Sequence, residues 1–293
     1  MRQDDRDPRP GSFGHETPGE APSGLGPRRL PPAQYWSERL SGDFSLGAVG
    51  NRPLGRPFND WAYRARLSAL ERGLAVHGLA PETAHILEVG FGTGYFVAYW
   101  HGRGARSITG VDITQRAVEE ASRRYPGHRF AVLDIAAKDC PALGAFDIVT
   151  VFDVLFHLLD EEAFERALAN TCRQIRPGGH LLLTDIFSGT ESLKGMTQLS
   201  RPLPRYREIL REHGLEIVGL HPVFFSMSEA PDLRHPWARW ASRTYWRILG
   251  SLLERAPAAG HLIGPPLYLA DRVLQRLLKD GPSVKLLVAK AGT

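Results

Sequence analysis

Cysteine is scarce: Cys140 and Cys172 are the only two in 293 residues. Their number and spacing fit neither a disulfide framework nor a paired metal-ligand motif, so two reduced thiols are expected. No His/Cys/Asp cluster suggests a metal site. No apolar run approaches the ~20 residues that a bilayer-spanning helix needs. No apolar stretch stands before residue 35, so a secretory signal is not expected. The same stretch carries Asp4, Asp5, Asp7, Glu16 and Glu20, unlike an acid-poor transit peptide, and cytoplasm is the expected compartment. Strong charge is lacking too. The net charge is +4 and the sequence pI near 9.2, which does not by itself point to nucleic acid. The excess is local: residues 201–280 hold twelve Arg/Lys against eight Asp/Glu, and residues 1–200 hold 22 against 24.

What is present is 43% hydrophobic residues, enough for one large domain or one domain with an insertion. Residues 1–33 are rich in Pro, Gly and Arg and hold almost no large apolar side chain. Such a segment cannot offset its ordering entropy and is expected to be disordered. Aromatics begin at Tyr35, and residues 34–82 read as a helical cap, with a helix over Asn59–Leu74 capped by Asn59 or Asp60. Five short apolar runs follow: His85–Val89, Ser107–Asp112, Arg129–Asp134, Phe146–Phe152 and His180–Asp185. Helical stretches alternate with some of them, at Thr114–Arg124 and at Glu161–Ile175, the latter with Asp160 as N-cap. The alternation predicts a parallel sheet covered on both faces. A helix at Pro204–Glu212 and runs at Leu215–Val223 and Val284–Val288 complete the pattern.

About 60 residues separate the last two runs, where a hairpin needs only a few. They read as two helices. On the first, Trp237, Trp240, Ala241, Thr244 and Ile248 share one face and Arg239, Arg243 and Arg247 the other. The second spans Leu267 to Lys279, with Pro265 and Pro266 at its start.

Chemistry enters at Glu88-Val89-Gly90-Phe91-Gly92-Thr93-Gly94, a strand running into a glycine turn. Glycine serves where φ is positive or where the backbone must touch a ligand. The helix that follows offers free N–H groups to an anion, a pyrophosphate or an amino-acid carboxylate. A dinucleotide fingerprint wants a third glycine at the sixth position, and Tyr95 stands there. Asp112 ends the second run, placed to accept from both ribose hydroxyls. Asp134 ends the third, placed to accept from an adenine amino group, with Ile135 against the ring. Alone, each acid is as well read as a helix cap or loop residue. Together they build a nucleoside site at the strand tips.

On these residues, 83–185 resemble the core of class I S-adenosylmethionine-dependent methyltransferases. Phe146-Asp147-Ile148-Val149 and Arg176-Pro177-Gly178-Gly179 resemble the family's fourth-strand motif and the turn before its fifth strand. The resemblance implies an α/β fold: a doubly wound, Rossmann-like, seven-stranded sheet with an antiparallel last strand. The core would be 83–223, with 281–293 as its last strand and 224–280 as a helical lid. It implies S-adenosyl-L-methionine as cofactor, held by Glu88, Gly90, Phe91, Gly92, Gly94, Asp112, Ile113, Asp134, Ile135 and Phe152. Glu88 would lie near the ligand's amino group or order the loop.

Methyl transfer from a sulfonium needs alignment and, for some acceptors, a base. His157 and Asp153, after the fourth strand, are the candidates, each with a structural alternative as a loop tether. His180 and His221 are expected to be structural. An Asn/Asp-Pro-Pro-aromatic run, which the family uses on base amines, is missing, so no nucleic-acid partner is expected. The acceptor is expected to be a small molecule, through a hydroxyl of a sugar or secondary metabolite. A nucleic-acid methyltransferase and a non-catalytic adenosyl-ligand-binding module are the alternatives. The topology puts 224–280 on the ligand side, so that insertion, with 34–80, is expected to supply acceptor specificity. Trp237, Trp240, Tyr245 and Trp246 would form its wall or pack it onto the core. The arginine stripe is expected to be a solvated face, with an anionic acceptor or a membrane surface as the other readings. Nothing in the sequence sets the oligomeric state.

Overall fold

A computed structural model describes residues 30–187, 193–194, 198–230, 233 and 235–293. The disorder expected of 1–33 falls almost wholly outside them. Pro32 and Ala33, however, already belong to helix α1, Pro32–Gly42. It is followed by α2, Leu46–Val49, and α3, Gly55–Val76.

The core alternates strand and helix: β1 His85–Val89, α4 Tyr95–Gly102, β2 Ser107–Asp112, α5 Gln115–Arg124, β3 Arg129–Val132, β4 Phe146–Phe152, α6 Glu161–Cys172, β5 Ile175–Asp185. A two-residue ladder joins β6, Leu193–Lys194, to β7, Leu199–Ser200. Then come α7 Leu203–Glu212, β8 Leu215–Pro222, α8 Pro236–Arg255, α9 Gly260–Leu277 and β9 Lys285–Ala291. The seven-stranded sheet has the order β3-β2-β1-β4-β5-β9-β8, with β9 antiparallel to both neighbours.

Side chains alternate across a strand, so each apolar run feeds two cores. Ile86, Ile148, Leu182 and Val288 face α3 and α4, packing with Phe58, Leu70 and Trp100. Leu87, Val149, Leu181 and Leu287 face the other way, onto Phe164, Leu168, Tyr206 and Leu210 of α6 and α7. Near-continuous apolar strands are what a doubly covered parallel sheet requires. Asp160 caps α6 as expected, its Oδ1 accepting from Ala163 N at 2.8 Å, worth ~1 kcal/mol.

Several boundaries move. Asn59 caps nothing: α3 starts four residues earlier, and Asn59 is buried inside it. Its amide accepts from Asn51 N (2.9 Å) and donates to the Asn51 and Gly55 carbonyls (2.8 Å each), pinning the cap to the helix. Residues 176–179 lie within β5 instead of preceding it. They loop out between the Phe146–Ile175 and Ile148–His180 pairings. α9 begins at Gly260, so Pro265 and Pro266 stand inside it. Packing overrides their helix-breaking tendency. A Cβ on Gly260 would meet Phe58 N at 2.6 Å, and one on Gly264 would meet Trp61 Cδ1 at 2.3 Å, so α9 lies tight against α3 here. On α8 the tryptophan face is the outer one. Leu249 and Leu253 are buried instead, and Trp246 meets Phe58 edge to face with centroids 6.0 Å apart.

Candidate functional site

A cleft opens at the C-terminal ends of β1 to β4. It holds about 1020 Å³ of empty space, part of it open to solvent. The turn after β1 forms its floor. Gly90, Gly92 and Gly94 all have positive φ, at 71°, 53° and 79°. That conformation suits glycine. A Cβ on Gly90 would also lie 2.4 Å from Val154 Cγ2.

Asp112 locks this turn. Its Oδ2 accepts from Gly92 N at 2.8 Å, and its Oδ1 from Thr114 N (2.9 Å) and Thr114 Oγ1 (2.7 Å). Burial pushes its pKa up while these donors pull it down. The Ile113 backbone N–H is a further donor to it, and the carboxylate borders the cleft. Asp134 turns its own backbone, Oδ1 accepting from Ala136 N at 2.8 Å. Asn170 Nδ2 donates to the Ile135 carbonyl at 2.7 Å and fixes that residue against the cleft. Ile113 and Phe152 line the same cleft, as does Phe91, whose ring meets Phe130 at 5.4 Å.

Glu88 is buried. It accepts from Trp100 Nε1 at 2.6 Å and from Thr150 Oγ1 at 3.3 Å. Burial pushes its pKa up to about 8 against these bonds. It therefore ties β1 to α4 and β4, while also lining the cleft.

The end of β4 settles how Asp153 is held. It is the only non-glycine residue with positive φ (58°) among those described. Its Oδ2 accepts from Arg66 Nε at 2.5 Å, its Oδ1 from Thr184 Oγ1 at 2.9 Å, and its own N–H donates to that hydroxyl at 2.9 Å. Both oxygens are engaged, which is the geometry of a brace. His157 ends a short 3₁₀ turn over Leu155–His157. It borders the cleft edge-on to Trp36, centroids 5.0 Å apart.

All twelve residues expected at the site except Gly94 line this one cleft, and Gly94 caps α4 beside it. The wall above them comes from the cap: Trp36, Leu40, Val49 and Tyr63, with Tyr95 of α4. Tyr63 meets Tyr95 edge to face at 5.1 Å, and burial pushes its hydroxyl far up. Sequence reasoning placed a specificity role on 34–80 without finding these side chains; the cluster of aromatics from Tyr35 was the available signal. It also missed Arg66, which nothing in the local sequence marks. Among the described residues of 224–280, none lines the cleft. Of the two roles expected for Trp237, Trp240, Tyr245 and Trp246, the wall is therefore not there, because the insertion packs on the outer side of α3, while Trp246 packs onto the core. Among the described residues no group of three or more His, Cys, Asp or Glu is placed to hold a metal.

Comparison with known proteins agrees with this geometry. Residues 86–179 match the profile of the methyltransferase domain family. Residues 86–179 are thus a methyltransferase domain. Over 117 residues the chain is 34% identical to a tRNA U34 carboxymethyltransferase of Alteromonas mediterranea, covering 37% of this chain and 34% of that protein. Over 127 residues it is 32% identical to a malonyl-[acyl-carrier protein] O-methyltransferase of Serratia marcescens, covering 42% and 48%. The chain thus spans between a third and half of the length of the curated relatives it matches. The N-methyltransferase NodS of Bradyrhizobium japonicum, solved with S-adenosyl-L-homocysteine, superposes with a TM-score of 0.50 at 17% identity, covering 89% and 98%. That likeness is one of fold. The methyltransferase domain accounts for the glycine turn and its acids, and leaves the cap and the α8–α9 insertion unmatched.

Proposed function

We propose that the chain binds S-adenosyl-L-methionine through this domain and transfers its methyl group to a small-molecule hydroxyl, of a sugar or secondary metabolite. One observation carries the reading. Asp112 locks a three-glycine turn whose open face shares a cleft with Asp134, Ile135 and an aromatic wall from the cap. The fit to the cofactor rests on the turn itself: side chains at Gly90 and Gly92 would close in on Val154 and Val49.

When bound, the cofactor supplies a methyl group on a cationic sulfur. Asp112 would receive the ribose hydroxyls, and Asp134 and Ile135 the adenine. Trp36, Tyr63 and Tyr95 would exclude water from the cleft and orient the acceptor. His157 takes the acceptor's proton, and Asp153 with Arg66 holds the loop that presents it. A nucleic-acid acceptor is the second reading, prompted by the tRNA-modifying relatives. The match to such a relative spans 34% of its length, so its acceptor does not carry over with the match.

Calorimetry with S-adenosyl-L-homocysteine tests the reading. Asp112→Ala is expected to weaken binding by about 10- to 100-fold, the loss of one or two hydrogen bonds to a charged acceptor. Unchanged affinity removes the ribose role. Binding without turnover across a broad acceptor panel leaves a silent binding module.

A further inference from the structure

The α8–α9 hairpin turns apolar surface outward. On α8, Trp237, Trp240, Ile248 and Leu252 recur at helical spacing, on the side opposite the buried Leu249 and Leu253. Trp237, Trp240 and Ile248 are 71%, 67% and 65% exposed. α9 repeats the pattern with Leu262, Leu269, Val273 and Leu277, opposite Gly260, Gly264, Asp271 and Gln275, which are buried. That inner side is fixed to the core. Gln275 Nε2 donates to the Val223 carbonyl at 2.6 Å and to the Ala65 carbonyl at 3.2 Å. A helix packed on a soluble domain normally shows water its polar side. Here both helices show it an apolar stripe, and stripes of this kind mark a binding surface.

Charge selects the occupant. The two helices carry six arginines and two acids, Glu254 and Asp271. Asp271 is buried, its Oδ1 accepting from Ser226 N (2.6 Å) and Ser226 Oγ (2.7 Å). Glu254 is thus the one exposed carboxylate on either helix. At 100° per residue, Arg247 and Arg243, the latter paired with Glu229 at 3.7 Å, flank the α8 stripe instead of opposing it as the sequence pattern predicts, and Arg272 and Arg276 flank that of α9. A second copy of the chain, docked face to face, would set arginine against arginine with almost no carboxylate to pair them. An RNA backbone would meet the arginines but leave two tryptophans and six aliphatic side chains against a polyanion. An anionic bilayer accommodates both features. Indoles and aliphatic side chains enter the boundary between headgroups and acyl chains, and guanidiniums stay at the phosphates. We propose that the outer face of the α8–α9 hairpin docks this protein on an anionic lipid bilayer. It lies on the surface: among the described residues no helix is long and apolar enough to cross a membrane.

The test uses the full chain and does not depend on the methyl-transfer reading. Co-sedimentation compares vesicles of phosphatidylcholine with vesicles in which about a third is phosphatidylglycerol. Binding to the anionic vesicles is expected to be at least ~10-fold tighter and to weaken with salt, given the attraction of each arginine near such a surface. Three double variants probe the face: Trp240→Ser/Ile248→Ser, Leu269→Ser/Val273→Ser and Arg247→Glu/Arg276→Glu. Each is expected to reduce vesicle binding ~10-fold or more. Each is also expected to keep the wild-type Tm and S-adenosyl-L-homocysteine affinity, since these side chains are exposed and outside the cleft. Tryptophan emission should shift to the blue on adding anionic vesicles, and Trp237→Ser/Trp240→Ser should abolish the shift. No binding to anionic vesicles at low salt, or equal binding to both compositions, overturns the proposal. So does wild-type binding by all three variants. A dimer that the serine variants dissociate would assign the face to a second copy instead, and RNA binding lost with the arginine variant would assign it to nucleic acid.

Discussion

Two residues after β4 were equal candidates for a base, and their surroundings separate them. Asp153 spends both oxygens on Arg66 and Thr184. Accepting a proton there would forfeit a charge-assisted bond. His157 borders the cleft beside Trp36, where a substrate hydroxyl would sit. General-base catalysis is worth about 10²-fold or more. His157→Ala is accordingly expected to lower turnover by about 10²-fold while S-adenosyl-L-homocysteine affinity stays within about twofold. Turnover is read by release of S-adenosyl-L-homocysteine. A collapse of affinity or of folding along with turnover would make His157 a tether.

Among the elements, α3 has the widest reach. Its first half receives the cap through Asn59 and presents Tyr63 to the cleft. Its middle sends Arg66 to Asp153, and its outer side carries α9 through Trp61 and the Ala65 carbonyl. The Arg66–Asp153 pair is little exposed, at 15% and 14% of its side chains, and Arg66 also lies over the Tyr63 and Phe224 rings at 5.0 and 4.7 Å. Asp153 is held in a backbone region that is costly for a residue with a Cβ. Removing the cation leaves a poorly solvated carboxylate on that strained turn. Arg66→Ala is expected to cost about 2 kcal/mol, less than a fully buried pair because some water reaches it, and to lower Tm by several degrees. Thermal unfolding followed by circular dichroism reads this directly. An unchanged Tm would show that Thr184 alone suffices.

For the whole molecule, the buried carboxyls of Glu88 and Asp185 and the half-buried imidazole of His221 carry large shifts that make stability follow pH. Folded Glu88 keeps its proton to about pH 8, against 4.5 ordinarily, and folded Asp185 to about 7, against 3.8; burial is the main cause in both. The folded chain binds more protons than the unfolded one across those windows, so stability falls as pH rises through them. His221 acts in the opposite sense. Burial, with Arg72 and His77 nearby, lowers its pKa from 6.5 to about 4, so its contribution is lost as pH falls through that window. The two carboxyls span the wider pH windows, and burial raises Asp112, Glu229 and Asp271 in the same sense, against the lowered His77, His128 and His180. The ligand-free protein is expected to melt at lower temperature near pH 8 than near pH 5.5, and Glu88→Gln, which still accepts from Trp100, should flatten the profile. Parallel profiles for the two proteins would refute the role of Glu88.

The sequence by itself determined the core: seven strands in a doubly wound sheet, the glycine turn, and the acids at the strand tips. It could do so because periodicity and turn chemistry are local, and Gly90, Asp112 and Asp134 act within a few residues of a strand end. The packing of the two helical additions was decided by the tertiary structure alone. The cap, not the insertion, walls the cleft, and the apolar stripe of α8 faces outward. An amphipathic pattern fixes that a helix has two faces, but not which one meets the protein. On α9, Gly260 and Gly264 mark the inner face, where any Cβ would run into Phe58 and Trp61 some 200 residues away. Arg66 reached Asp153 by the same kind of contact, which sequence spacing cannot encode.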